Sequence, residues 1–180
     1  MLSWKKVPGW LTLAEGQLLQ DAARGQTVLE IGSLFGRSTI CLAEVAWHVV
    51  AVDPHNGSAL RNLHRGEDTL PEFLKNLAAA EVNHKITVLR GPIEAVAPFL
   101  TSRRFGLVFI DGDHSAQACR RDLEIAERLL SPKGGIAVHD YGYAAGHLAG
   151  VQTAVDEFAT RNGWMCRTAG RLALLAQPAS

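Results

Sequence analysis

Five ionisable side chains fall in two short clusters whose residue types could do chemistry. Asp111, Asp113 and His114 lie in Phe109-Ile110-Asp111-Gly112-Asp113-His114-Ser115, and His139 and Asp140 lie in Val138-His139-Asp140-Tyr141. Each cluster closes an apolar run, Phe105 to Asp111 and Gly135 to Asp140, that reads as a buried parallel strand. Strands covered on both faces have no structural need of acids and imidazoles at their tips, so the gathering predicts a site. Singly, each residue has a plainer use: Asp113 as a cap for the helix beginning near Ser115, His114 as a loop-packing residue. Together they bring five titratable groups to one crevice, where they could exchange protons. His114 is the candidate base, because its ordinary pKa lies near neutrality and only a nearby cation would depress it.

A second constellation lies upstream, in Glu30-Ile31-Gly32-Ser33-Leu34-Phe35-Gly36. Gly32 and Gly36 permit a tight turn and close ligand approach, while Ser38 and Thr39 can satisfy free amides at the following helix start. The G-x-x-x-G spacing is not the G-x-G-x-x-G of dinucleotide binders. Asp53, about twenty residues past the first glycine, is placed to accept both hydroxyls of an adenosine ribose. Its plainer use is as a cap or turn former before Pro54. Glu30 ends an apolar strand, where a carboxylate needs hydrogen bonds from the loop amides or a bound cation such as a sulfonium.

The elements that must position these residues alternate. Strands are expected at Thr27 to Ile31, His48 to Asp53, Lys85 to Arg90, Phe105 to Asp111 and Gly135 to Asp140. Helices are expected at Thr12 to Arg24, Ser38 to Ala46, Thr69 to Ala80, Ile93 to Leu100, Ser115 to Leu130 and Val151 to Arg161. Two further strands, Trp164 to Thr168 and Arg171 to Ala176, are joined by a connection so tight that they must form an antiparallel hairpin. The fold class is therefore α/β: a Rossmann-like, doubly wound, mostly parallel seven-stranded sheet in a single domain, with an N-terminal helical segment over residues 1 to 25. Pro54 to Asp68 reads as a loop over the carboxyl edge, bordered by Gly142 to Gly150.

Glu30, Gly32, Gly36 and Asp53, with the C-terminal hairpin, resemble the binding motifs of class I S-adenosylmethionine-dependent methyltransferases. Ile110 to Ser115, Ser131-Pro132-Lys133-Gly134-Gly135 and His139-Asp140-Tyr141 resemble the group related to macrolide sugar O-methyltransferases and catechol O-methyltransferase-like enzymes, from about Leu13 to the C-terminus. The resemblance implies S-adenosylmethionine held by Glu30, Gly32, Ser33, Gly36 and Ser38, by Asp53 and Pro54, and by Asp111, with Gly91 and Ile93 over the adenine. It implies O-methylation of a small-molecule or natural-product hydroxyl, with Asp111 and His114 catalytic. In metal-dependent members, acids at the positions of Asp111, His139 and Asp140 hold magnesium; imidazole at His139 departs from that set. A softer ion such as manganese, iron or zinc, and no metal at all, are both open. Two other readings also stay open: a metal-dependent hydroxylase or hydrolase on the same sheet, and an inactive S-adenosylmethionine-binding partner subunit.

Composition narrows the partners. The 180 residues are 47% hydrophobic and carry 18 basic against 18 acidic side chains, so no net field recruits nucleic acid or an anionic membrane. No apolar run spans a bilayer and no secretory leader is visible, so the expected location is the cytoplasm. Cys41, Cys119 and Cys166 read as buried free thiols, and Trp4, Trp10, Trp47 and Trp164 as core or interface aromatics. His55, His64, Tyr141, Tyr143 and His147 border the expected cleft, where most read as ordinary surface residues. There is no room for a cap domain, so the substrate is small or a second copy completes the site in a homodimer.

Overall fold

The computed structural model describes residues 1–57, 67–101, 104–143, 146 and 148–178. Its sheet is built from short runs that bury both faces: β1 (Thr27–Ile31), β2 (His48–Asp53), β3 (Ile86–Arg90), β4 (Phe105–Ile110) and β5 (Leu130–Val138). The strand order is β3-β2-β1-β4-β5-β7-β6, and the first five run parallel. β7 (Leu172–Ala176) runs antiparallel to β5 and to β6 (Met165–Ala169), which gives the expected C-terminal hairpin.

Helices cover both faces. α1 (Leu13–Ala23), α2 (Arg37–Ala43) and α3 (Leu70–Ala79) bury Leu19, Ile40, Phe73 and Leu77 against Val28, Val49 and Phe109. On the other face α4 (Ile93–Val96), α5 (Ala116–Leu129) and α6 (Ala149–Asn162) bury Ile93, Leu123, Val155 and Phe158 against Leu29, Val108 and Ile136. After β3 the chain crosses back over β1 to enter β4, so the direction of winding reverses between β1 and β4. That reversal splays the loops beyond the carboxyl ends and opens a crevice there. No helix among the described residues is long and apolar enough to cross a membrane.

Several expectations need correction. The segment read as one helix from Ile93 to Leu100 divides into α4 and a 3-10 turn, Ala97–Leu100, because Pro98 has no N–H to continue an α-helical ladder. β5 starts at Leu130 rather than Gly135 and stops at Val138, so His139 and Asp140 lie beyond it; Asp140 turns the chain at φ +57. α2 spans Arg37–Ala43, shorter at its end than the Ser38 to Ala46 expected. Cys41 and Cys119 are buried, but Cys166 is exposed on the edge strand β6. Trp4 is in the core, whereas Trp10 and Trp47 are 62% and 76% exposed.

Candidate functional site

A cleft of about 650 Å³ occupies the crevice. At one end Gly32, at φ +90, carries the chain so close to β4 that a Cβ there would lie 2.2 Å from the carbonyl oxygen of Asp111. Gly36, at φ +88, opens α2 over the ring of Phe73. Asp53 fastens the loop between them: one carboxylate oxygen accepts the backbone N–H of Ser33 (2.8 Å) and of Leu34 (2.9 Å), and the other accepts that of His55 (2.6 Å). Leu34 and His55 hold positive φ, strained for residues with a Cβ, and these hydrogen bonds restrain both. The Ser33 hydroxyl is buried with no hydrogen-bond partner among the described residues.

Glu30 is fully buried beneath this loop and accepts hydrogen bonds from the hydroxyls of Ser38 and Thr39, both at 2.5 Å. Sequence reasoning assigned those hydroxyls to helix amides and gave Glu30 the loop amides or a cation; side chain meets side chain instead. Burial pushes the Glu30 carboxyl up to about 8, and the two hydroxyls only partly oppose it, so near neutrality it is a neutral acid. Pro54 and Gly91 line the cleft, and the Gly91 N–H donates to the Asp53 carbonyl at 3.0 Å, joining the ends of β2 and β3. Ile93 is buried as the first residue of α4.

At the other end Asp111, His114, His139 and Asp140 do come together. His114 Nε2 lies 3.0 Å from Asp140 Oδ2 and 3.9 Å from Asp111 Oδ1. His139 Nδ1 lies 3.4 Å from Asp111 Oδ1 and 3.6 Å from Asp140 Oδ2. These are charge contacts rather than aligned hydrogen bonds, and among the described residues Nε2 of both rings is buried without a hydrogen-bond partner. Burial alone would lower the pKa of His114, but Asp111 and Asp140 overcome it and raise it to about 9. The same opposition, won by the same carboxylates, raises His139 to about 11. Burial works against the ionised forms of Asp111 and Asp140, yet the two imidazoles hold both carboxyls below the usual carboxylate range. Asp113 stands apart, accepting the Ser115 N–H at 2.8 Å, while Ser115 caps α5.

Sequence reasoning missed two members of this cluster. Glu15, buried on α1, stands 3.5 Å from His139 Nε2 and accepts the backbone N–H of Arg171 at 2.7 Å. Its spacing from Thr12 announces the capping box that α1 does have, but nothing local announces a partner 156 positions away. Arg171 stands 3.7 Å from Asp140 Oδ1, over the ring of Tyr143 and hydrogen-bonded to its hydroxyl. Of the residues expected to border the substrate, His55 is buried against Phe73 and Tyr141 donates to Asp156; His64 and His147 lie outside the described residues.

Asp111, His139 and Asp140 offer one ligand atom each, all within 4.8 Å of one another. One imidazole nitrogen and two carboxylate oxygens fit a borderline ion such as manganese, iron or zinc better than magnesium, which prefers oxygen. The charges of the cluster already balance: Glu15, Asp111 and Asp140 face His114, His139 and Arg171. An ion would therefore have to displace the His139 proton.

This architecture has many solved counterparts. The cofactor-bound Rv0187 protein from MTB is 24% identical, with a TM-score of 0.73 over 95% of this chain and 83% of that one. The O-methyltransferase TomG from Streptomyces achromogenes, involved in tomaymycin synthesis and crystallised with SAM, is 19% identical, with a TM-score of 0.71 over 94% and 82%. A Bacillus cereus O-methyltransferase in complex with SAH is 19% identical, with a TM-score of 0.70 over 96% and 86%. These likenesses establish the shared fold. A family model described as a methyltransferase domain matches residues 29–141, from β1 through the tip of β5, which covers the glycine loop and both acid and imidazole clusters. The chain belongs to this methyltransferase-domain family.

Proposed function

We propose that this protein transfers the methyl group of S-adenosylmethionine to a hydroxyl oxygen of a small molecule. The observation that carries the reading is the placement, in one cleft, of an Asp53-fastened glycine loop and a cluster of acids and imidazoles. The SAM and SAH complexes of the Streptomyces and Bacillus enzymes support the choice of cofactor, and their description as O-methyltransferases supports oxygen as the acceptor.

Asp53 Oδ1 receives a ribose hydroxyl on the one lone pair that the Ser33, Leu34 and His55 amides leave free, and the Ser33 hydroxyl gains the partner it lacks. Gly32 packs the loop against the Asp111 backbone, which brings the cofactor end of the cleft beside the acids and imidazoles. In the reaction the acceptor oxygen bonds to the methyl carbon as the carbon–sulfur bond breaks, its electron pair returning to sulfur. The hydroxyl proton goes to His114. With its pKa near 9, His114 is in the accepting form for roughly one molecule in a hundred at pH 7, so turnover should climb with pH towards 9. Asp111, His139 and Asp140 would hold a divalent ion if one binds, and it would supply Lewis acidity to the acceptor oxygen.

Calorimetric titration with S-adenosylmethionine, S-adenosylhomocysteine and NAD, with and without Mn²⁺, tests this. Binding of both S-adenosyl ligands and not NAD is the expected result; failure of both to bind would sink the reading.

A further inference from the structure

The mechanism above leaves one buried carboxylate in the cleft wall unused. Asp122, on α5, is 2% exposed, yet it lines the cleft beside Gly112. Its surroundings form a floor: Asp122 Oδ2 would lie 3.6 Å, and Ile31 Cγ2 3.7 Å, from a Cβ placed on Gly112. Gly91 and Pro92, which follow β3, and Ile93, which opens α4, line the same cleft. Arg121 secures the corner. Its Nε donates to Asp122 Oδ1 at 3.2 Å, and its Nη1 reaches Glu94 Oε1 at 3.3 Å on α4. Among the described residues no other hydrogen bond reaches the Asp122 carboxylate, so Oδ2 remains free. A carboxylate oxygen that lines the cleft without a protein donor is open to a donor from a ligand.

We infer that Asp122 reads the purine of the adenosyl ligand, its free carboxylate oxygen accepting a hydrogen bond from the exocyclic 6-amino group. The inference rests on the S-adenosyl cofactor proposed above. With the ribose at Asp53, the base extends past Gly91, whose N–H is bonded to the Asp53 carbonyl, into the space between α4 and α5. There the two faces of a flat base meet the apolar Ile31, Pro92 and Ile93, and its amino edge meets Asp122. Burial raises the Asp122 carboxyl to about 6, despite the opposing Arg121 guanidinium, so it is ionised at pH 7.5 and acts as an acceptor only. A base with a 6-oxo group would set acceptor against acceptor.

The test compares S-adenosylhomocysteine with S-inosylhomocysteine, which carries oxygen in place of the 6-amino group, by calorimetry at pH 7.5 on the wild-type protein, Asp122→Asn and Asp122→Ala. The wild type should prefer the adenosyl ligand by about 10- to 100-fold, the range for a hydrogen bond to a charged group. Asp122→Asn, which keeps the shape and can donate to a 6-oxo group, should narrow the ratio at least about fivefold, and Asp122→Ala should bring it near unity. A structural role for Asp122 would weaken both ligands alike and preserve the ratio, which would overturn the inference. So would a wild-type ratio below about two. If the alanine variant does not fold, the wild type and the isosteric asparagine variant decide. Wild-type protein that binds neither ligand would overturn the cofactor reading as well, whereas tight S-adenosylhomocysteine binding with an invariant ratio removes the role of Asp122 alone.

Discussion

The two ends of the cleft are built on opposite plans. At the loop after β1, backbone does the work: N–H groups of Ser33, Leu34 and His55 converge on Asp53, and Gly32 is wedged against the Asp111 carbonyl. Beyond β4 and β5, side-chain charge does the work. Three carboxylates and three cations sit within 4 Å contacts, and among the described residues the Nε2 atoms of His114 and His139 lack hydrogen bonds. A backbone cradle is preorganised and admits one geometry, whereas a balanced charge cluster can exchange a proton or an ion for an incoming group. The first plan suits a constant cofactor and the second suits a reacting acceptor.

Breaking the cradle should have the largest effect. Gly32→Ala puts a methyl group where the Asp111 carbonyl oxygen stands and strains φ +90, so it should cost ~3 kcal/mol or more of stability and abolish binding of S-adenosylhomocysteine, seen by thermal melting and calorimetry. Retained affinity would show that the loop is softer than its contacts imply. Asp53→Ala frees three amides together and removes the ribose acceptor, and affinity should fall by about 100-fold or more.

At the other end binding and chemistry should separate. His114→Ala should leave S-adenosylhomocysteine affinity within about threefold and lower kcat by roughly 100-fold. Unchanged kcat would remove His114 as the base. If Mn²⁺ binds at Asp111, His139 and Asp140, it must expel the His139 proton, which that ring holds up to a pKa of about 11. Affinity should therefore tighten by up to about tenfold per pH unit between pH 6.5 and 9, with proton uptake by buffers of different ionisation enthalpy as the readout. Affinity independent of pH would place any metal elsewhere.

The same contrast explains what the sequence could reveal. Strand tips, glycine spacing and Asp53 are local, periodic signals, and the structure puts β1 and β2 on the residues expected. The association of Asp111 and His114 with His139 and Asp140 was legible because parallel strands bring their carboxyl ends to one edge. The charge state was not. His114 looks like a base of ordinary pKa until the fold sets two carboxylates beside it, and Glu15 and Arg171 join only when α1 and the β6–β7 turn pack against the cluster. Exposure of Trp10 and Trp47 was illegible for a similar reason, since aromatic type says nothing of which side of a loop faces inward.

Glu30 gives the smallest expected effect on ligand binding and the sharpest separation of the two plans, because it lies under the cradle yet carries an ionisable group. Its carboxyl, raised from an ordinary 4.5 to about 8, is protonated in the folded chain when the unfolded chain has already ionised. Below pH 4.5 both states hold the proton and nothing is lost; from there to pH 8 stability falls by up to ~1.4 kcal/mol per unit as the unfolded state gains the advantage. Glu30→Gln mimics the neutral acid, with the Ser38 and Thr39 hydroxyls turning to donate to its oxygen and accept from its nitrogen, and removes that slope. His114 and His139 also lose their contribution with rising pH, but only above 6.5, and Asp122 acts with the same sign between 3.8 and about 6. Those losses are common to both proteins and cancel in the difference. Melting temperatures of the two proteins should thus coincide near pH 4.5 and diverge steadily to pH 8 in favour of the variant, with S-adenosylhomocysteine affinity within about threefold throughout. Parallel melting curves across that range would mean that Glu30 is ionised beneath the loop, and the nucleotide end would then carry a buried charge of its own.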